Sequence, residues 1–120
     1  MLKVYTYAKC STCRKATNWL KAARIAFEEL PIREAPPPPD ELRTMLAAHR
    51  GEMKRILNTS SQDYRDLKLP EKLPTLGDDQ VFALLGRNGN LVKRPFALGL
   101  GVALVGFDEA RWAEAFARRR

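Results

Sequence analysis

Hydrophobic and polar residues alternate with a period of two at the start of the chain and with a period of three to four directly afterwards. Residues 2–7 are rich in β-forming side chains and predict a strand. Apolar side chains then recur at spacings of three and four up to about Arg24, which predicts an amphipathic helix capped by Ser11 or Thr12. Residues 27–32 predict a second strand, so the first third is a strand–helix–strand unit with parallel strands.

The middle of the chain carries helical patterns. Four consecutive prolines, Pro36–Pro39, cannot donate backbone hydrogen bonds and predict a stiff connector. Gly51 can end the helix that follows this connector. Asn88-Gly89 is interpreted as the end of the last helix, although the same pair is also typical of a hairpin turn. The predicted helical segments are 40–49, 53–57, about 64–70 and 78–88.

The last third contains two further β-forming runs and one helical pattern. Residues 92–98 and 102–105 predict two strands joined by the tight connection 99–101, and Asp108 caps a helix. The order is therefore βαβ, a helical insertion over about 40–87, and ββα. We expect an α/β fold with a four-stranded mixed sheet flanked by helices, because this arrangement buries the periodic faces.

Length and composition favour one globular domain over residues 1–120, with 45% hydrophobic and 29% charged residues. No stretch approaches the roughly 20 consecutive apolar residues of a membrane helix, and no signal-type segment opens the chain. We therefore expect a cytoplasmic protein without a membrane partner. The net charge of +7 favours anionic partners, but no aromatic–basic motif indicates direct nucleic-acid binding. The closing Arg118-Arg119-Arg120 predicts a frayed, solvated tail.

Cys10 and Cys13 are the two cysteines of the chain and lie at the predicted strand-to-helix turn. Their Cys-x-x-Cys spacing points to redox or metal chemistry rather than to a disulfide framework. Unpaired N–H groups and the helix dipole favour a thiolate at this turn, and residues 1–27 contain six lysines and arginines and no acid. A cysteine one helical turn later can displace a mixed disulfide. Cys10 is therefore the predicted nucleophile and Cys13 the resolving residue.

Two other interpretations of the cysteine pair remain open from the residues alone. A zinc site needs about four ligands, and His49 is the one further soft or imidazole ligand, so metal binding would require a second chain. We assign no metal ligand. The cysteines could also be inert, in which case Cys13, at the start of the apolar stripe, is the better candidate for burial.

Arg94-Pro95 is the second candidate site. A proline cannot donate to a sheet ladder, so it is confined to a strand start, an edge or a special turn, where a cis peptide is one option. Lys93 and Arg94 supply cations, and a guanidinium group suits carboxylates and oxyanions. The alternative interpretation is a charged strand start without a binding role.

Four motifs, in the same order along nearly the whole chain, resemble the arsenate reductase-like ArsC/Spx family. The resemblance implies a thioredoxin-like fold with a helical insertion, and a cis proline at Pro95 beside the active cysteine. The implied boundaries are a thioredoxin-like core over 1–34 and 88–120 with the insertion over about 40–87. The four motifs are Lys9–Ala16, Ile56–Ser60, Leu91–Pro95 and Val105–Asp108.

The resemblance also implies roles for individual residues. Cys10 matches the reactive cysteine of the family, and Arg94 matches an arginine that faces an anion. The resemblance therefore implies a thiol-disulfide oxidoreductase with no bound cofactor and with glutathione as a co-substrate. The implied partner is glutathione, thioredoxin or glutaredoxin. The implied substrate- or anion-binding residues are Ser11, Thr12, Arg14, Asn58, Arg94 and Pro95.

The chain departs from the pattern of glutaredoxin-linked arsenate reductases. Those enzymes have serine where Cys13 stands, an arginine at Asn58, and another arginine near Gly106-Phe107. Each lost charge-assisted contact costs about 1.5–3 kcal/mol, so efficient arsenate reduction is not expected. The second cysteine and the Val105-Gly106-Phe107 step before the last helix instead resemble the Spx-type regulators and an uncharacterised reductase-like branch. This implies the alternative of a redox-sensing transcription regulator that binds the RNA polymerase α-subunit, with Gly51 either near that contact or ending its helix.

Overall fold

The computed structural model describes residues 1–118, and Arg119 and Arg120 of the predicted tail lie outside them. No helix in this range is long and apolar enough to cross a membrane. The elements in chain order are β1 (Leu2–Thr6), α1 (Ser11–Ala22), β2 (Phe27–Pro31), α2 (Pro39–Ala48), α3 (Gln62–Asp66), α4 (Leu69–Lys72), α5 (Asp78–Arg87), β3 (Phe96–Gly99), β4 (Val102–Val105) and α6 (Glu109–Arg118). Short 3-10 helices cover Met53–Ile56, Leu73–Thr75 and Gly89–Leu91.

The chain divides into two units, which we call unit 1 and unit 2. Unit 1 comprises Met1–Pro31 and the chain from Arg94 onwards, and unit 2 comprises Ile32–Lys93. Unit 1 contains the whole sheet, in the order β2-β1-β3-β4. β1 runs parallel to β2 and antiparallel to β3, which pairs antiparallel with β4. The expected four-stranded mixed sheet is therefore confirmed.

Helix α1 begins one residue earlier than the predicted caps imply. Its N-cap is Cys10, which has an extended backbone and accepts a hydrogen bond from the Cys13 N–H, whereas Ser11 and Thr12 are already helical. The prediction of Ser11 or Thr12 as the cap is therefore wrong. The helix ends at Ala22, before Arg24, which has a left-handed φ of 58°.

The core of unit 1 holds α1 against the sheet. The indole of Trp112 is buried and stacks edge-on against Trp19 of α1, with ring centroids 6.2 Å apart. Each Å² of buried apolar surface stabilises the folded state by about 25 cal/mol. Burial of such side chains therefore anchors α1, whose N-terminus carries the cysteines. The buried residues of this core are Leu2, Val4, Ala16, Leu20, Ala97, Val102, Leu104 and Trp112.

Strand β3 starts later than the predicted range of 92–98. Val92 forms an isolated bridge with Leu57, and the Lys93 N–H donates to the Ile56 carbonyl at 2.9 Å, so these residues pair within unit 2. Pro95 has no N–H to donate. The ladder with β1 therefore begins only at Phe96.

Unit 2 is helical, as the periodicity predicts. The Gly51 N–H donates to the Leu46 carbonyl with a φ of 73° at Gly51, which ends α2 as expected. Asn88 is the C-cap of α5, and the residues after it form a 3-10 helix rather than a hairpin turn. Asp63 in α3 holds the segment that follows α5. Its carboxylate accepts hydrogen bonds from the side-chain amides of Asn88 and Asn90.

Candidate active site

The two cysteines lie in direct contact where β1 passes into α1. The Cys10 N–H donates to the Tyr7 carbonyl at 3.0 Å, which fixes the turn before the helix. The Cys13 N–H donates to the Cys10 Sγ at 3.3 Å. Cys10 is half-buried, Cys13 is 2% exposed, and both are free thiols. A substrate can therefore reach the Cys10 sulfur, and the Cys13 side chain lies buried directly behind it.

The surroundings of Cys10 favour its thiolate. Burial acts to raise its pKa, but hydrogen bonds from the thiol and the backbone N–H of Cys13 act in the opposite direction. A hydrogen bond from the Arg94 guanidinium and the positive charge of that group lower the pKa further. The net result is a Cys10 pKa below that of a free thiol, as expected for a cysteine at a helix N-terminus.

Cys13 has the opposite electrostatic character. Burial, the donation of its S–H to Cys10 and the negative charge of Cys10 raise the pKa of Cys13 to about 12. The backbone N–H of Tyr7 offsets only part of this rise. Cys10 is therefore the more readily ionised of the two thiols, and Cys13 is the hydrogen-bond donor beside it.

Arg94 lies against both Cys10 and the ring of Tyr7. Its guanidinium carbon is 4.7 Å from the centre of that ring. Its Nη1 is buried and has no hydrogen-bond partner among the described residues. The following peptide bond, Arg94-Pro95, is cis, and the Pro95 carbonyl accepts a hydrogen bond from the Gly106 N–H at 2.9 Å. An unsatisfied buried donor next to a cysteine with a lowered pKa is typical of a functional site.

The other residues that the resemblance implies for substrate or anion binding lie in two different places. Ser11, Thr12 and Arg14 lie in the first turn of α1 and are exposed. Asn58 belongs to unit 2, where its side-chain amide donates to the Asn90 carbonyl at 3.2 Å. Thus the structure brings Cys10, Cys13, Arg94 and Pro95 together within unit 1, with the first turn of α1 beside them.

A cleft of about 310 Å³ opens beside the cysteines in unit 1. Sequence reasoning identified three of its lining residues and missed the rest. Arg14, Asn18 and Lys21 recur at spacings of four and three on one helix face, which is a signal that could have revealed this wall. No sequence signal pointed to Glu29 on β2. The lining residues are Tyr7, Ala8, Cys10, Cys13, Arg14, Thr17, Asn18, Lys21 and Glu29.

No group of three or more His, Cys, Asp or Glu side chains within residues 1–118 could hold a metal ion. His49 is the C-cap of α2, and its Nδ1 lies 2.9 Å from the Met45 carbonyl.

Comparison with known proteins identifies similar sequences and folds. The ArsC family model matches residues 5–115. A crystal structure from Streptococcus mutans, described as a possible arsenate reductase, is 36% identical and covers 95% of this chain and 97% of its own, with a TM-score of 0.86. The expected thioredoxin-like α/β fold is confirmed by this similarity.

Two relatives extend the comparison. The uncharacterized protein YusI of Bacillus subtilis is 38% identical over 116 residues, which is 97% of this chain and 98% of its own length. The global transcriptional regulator Spx of Listeria innocua is 31% identical over 109 residues, 91% of this chain and 82% of its own length. The chain thus resembles both reductase-like proteins and regulators over most of its length.

Proposed function

This chain belongs to the ArsC family, and we propose that it is a thiol-disulfide oxidoreductase with Cys10 as nucleophile and Cys13 as resolving residue. One observation carries the proposal: the half-buried Cys10 sulfur accepts a hydrogen bond from the Cys13 N–H at 3.3 Å, beside the cation of Arg94. This arrangement stabilises a thiolate and keeps the second sulfur within reach of any adduct formed on the first.

In the first step, the Cys10 thiolate attacks one sulfur of an oxidised substrate, either a disulfide or a glutathione adduct. A new disulfide forms between Cys10 and the substrate, the old S–S bond breaks, and the leaving thiolate takes a proton from water. Arg94 orients an anionic group of the substrate, because its half-exposed side chain places a positive charge beside the Cys10 sulfur. Pro95 shapes the backbone beside the sulfur, and Ser11, Thr12 and Arg14 border it on the helix.

In the second step, Cys13 attacks the Cys10 sulfur and releases the reduced substrate. The charge on Cys10 is one cause of the high Cys13 pKa, and it disappears when Cys10 forms a disulfide. The first step therefore makes the deprotonation of Cys13 easier. Glutathione, or a thioredoxin or glutaredoxin, then reduces the Cys10–Cys13 disulfide with two electrons. These thiol systems keep cysteines reduced in the cytoplasm, where we place the protein.

The test is multiple-turnover reduction of a glutathionylated peptide and of arsenate, with glutathione or thioredoxin as reductant. The peptide should be reduced by the wild type and not by Cys10→Ser, and Cys13→Ser should stop at a stable adduct on Cys10. Arsenate should be a poor substrate. Turnover that survives in Cys10→Ser and disappears in Cys13→Ser would show that the assigned roles are wrong.

A second candidate function is redox-sensing transcription regulation through the RNA polymerase α-subunit. The 31% identity to the regulator Spx over 91% of this chain supports it. This function requires a stable complex with the α-subunit in one redox state and little multiple-turnover reduction. A binding experiment with reduced and oxidised protein decides it, because absence of binding in both states eliminates the regulator.

A further inference from the structure

We propose that the cleft beside Cys10 binds the acidic segment of an extended peptide whose oxidised cysteine reacts with Cys10. The proposal rests on the oxidoreductase function and specifies its substrate class. The substrate is a protein or peptide disulfide with carboxylates on one side of the reacting cysteine.

Charge is distributed unevenly between the two units of the chain. Unit 1 contains 11 lysines and arginines and 5 acids, so it carries +6 of the net charge of +7. Its first 27 residues contain no acid at all. A substrate that approaches Cys10 therefore meets a positive field, which steers anionic molecules and disfavours cationic ones.

The cleft is lined by two basic side chains and one acidic side chain. Arg14 and Lys21 line it, and both are exposed and have no acidic partner among the described residues. Glu29 is the acid among the lining residues, and its carboxylate accepts a hydrogen bond from the Thr6 hydroxyl at 2.6 Å. The two cations remain available to carboxylates of a ligand.

Arg14 and Lys21 form a cationic row along α1, and its length sets the spacing of the carboxylates that it can bind. At a rise of about 1.5 Å per residue, Arg14 lies about 6 Å and Lys21 about 16 Å beyond Cys10 along the helix axis. An extended peptide advances about 3.3 Å per residue. Acidic residues about two and five positions from the reacting cysteine therefore match the two cations.

The reaction that tests this subsite needs only the first step. Reduced Cys13→Ser protein is mixed with peptides whose single cysteine is a disulfide with thionitrobenzoate. The Cys10 thiolate attacks the peptide sulfur, a Cys10–peptide disulfide forms, and the coloured thionitrobenzoate thiolate leaves. The matched peptides carry Glu, Gln or Lys at positions two and five from the cysteine, on either side of it.

The rate constant for the best Glu peptide should exceed that for its Gln counterpart by about threefold to tenfold at low salt, and the advantage should shrink as salt is added. Lys21→Glu should abolish this advantage, so that the rate constants of the Glu and Gln peptides become similar. Lys21→Arg should keep it. Glu29→Gln should increase it, since the amide retains a hydrogen bond with Thr6 and removes a repulsive charge.

The matched control is Lys72→Glu, which makes the same change of net charge at an exposed position of α4 in unit 2. It should leave the preference for the Glu peptide intact. Equal rates for the Glu, Gln and Lys peptides, or equal effects of Lys21→Glu and Lys72→Glu, would overturn the subsite and leave the oxidoreductase function standing. If the chain were not an oxidoreductase, the result would be different: no peptide would show Cys10-dependent release of thionitrobenzoate.

Discussion

The guanidinium of Arg94 stacks on the ring of Tyr7, with its central carbon 4.7 Å from the ring centre. Tyr7 follows β1 directly, and Arg94 precedes β3, which pairs with β1. The contact thus joins two chain segments that are distant in sequence, at the point where Cys10 caps α1. A planar cation over an aromatic face loses part of its rotational freedom, so its donors stay directed at fixed positions.

The Arg94 side chain should be required for full reactivity of Cys10. Arg94→Gln removes a hydrogen bond and a positive charge that lower the Cys10 pKa, so the pKa should rise and alkylation at neutral pH should slow severalfold. Titration of the thiolate absorbance in a Cys13→Ser background measures the pKa. Tyr7→Phe keeps the stacking face and should change little, whereas Tyr7→Leu should shift the titration in the direction of Arg94→Gln. An unshifted titration in Arg94→Gln would contradict this account.

Cys13 should make the reduced protein less stable at high pH. Its pKa is raised from 9.0 to about 12 in the folded state, so between these values the unfolded chain loses a proton that the folded chain keeps. The contribution to the free energy of unfolding is therefore complete below about pH 9 and declines as the pH rises towards 12. Denaturant titrations of wild type and Cys13→Ala across this range measure it. The decline should be smaller in Cys13→Ala, and parallel curves would refute the prediction.

Asp63 should stabilise unit 2 through its charged form. Its pKa lies below the ordinary value of 3.8 because the Asn88 and Asn90 side chains donate to the carboxylate. This stabilisation is present above the ordinary pKa and is lost as the pH falls through the lower, folded value. Asp63→Ala should lower the Tm at neutral pH, and the difference from wild type should shrink in strong acid. A Tm difference that is the same at both pH values would disprove the charge-dependent part.

Gly89 should tolerate no side chain, because its backbone packs directly on Ile32. A Cβ at this position would collide with the Ile32 carbonyl oxygen and lie 2.8 Å from the carbonyl carbon. Gly89→Ala should reduce the free energy of unfolding by about 3 kcal/mol. Gly86→Ala is the matched control, since its added Cβ meets no atom within 4 Å apart from its chain neighbours and its own helix backbone, and alanine favours α5 by about 1 kcal/mol. Chemical denaturation of both variants should show opposite signs, and a neutral Gly89→Ala would contradict the packing.

Local patterns in the sequence were sufficient to predict most of the fold. The period-two run before Cys10 and the period-three-to-four run after it predict β1 and α1, because side-chain spacing and backbone geometry are properties of neighbouring residues. The same local logic placed the cysteine pair at a helix N-terminus, where a lowered Cys10 pKa is expected. It misplaced the N-cap, because Cys10 itself can accept the Cys13 N–H.

What the sequence determined by itself is therefore the order of the elements and the position of the Cys-x-x-Cys pair within them. Tertiary structure decided the late start of β3 and the stacking of Arg94 on Tyr7. It also decided the burial of Cys13, which raises its pKa to about 12, and the meeting of Glu29 with Lys21 in one cleft. These features join residues from separate strands and helices, and burial and charge interactions depend on distance in space rather than on separation along the chain.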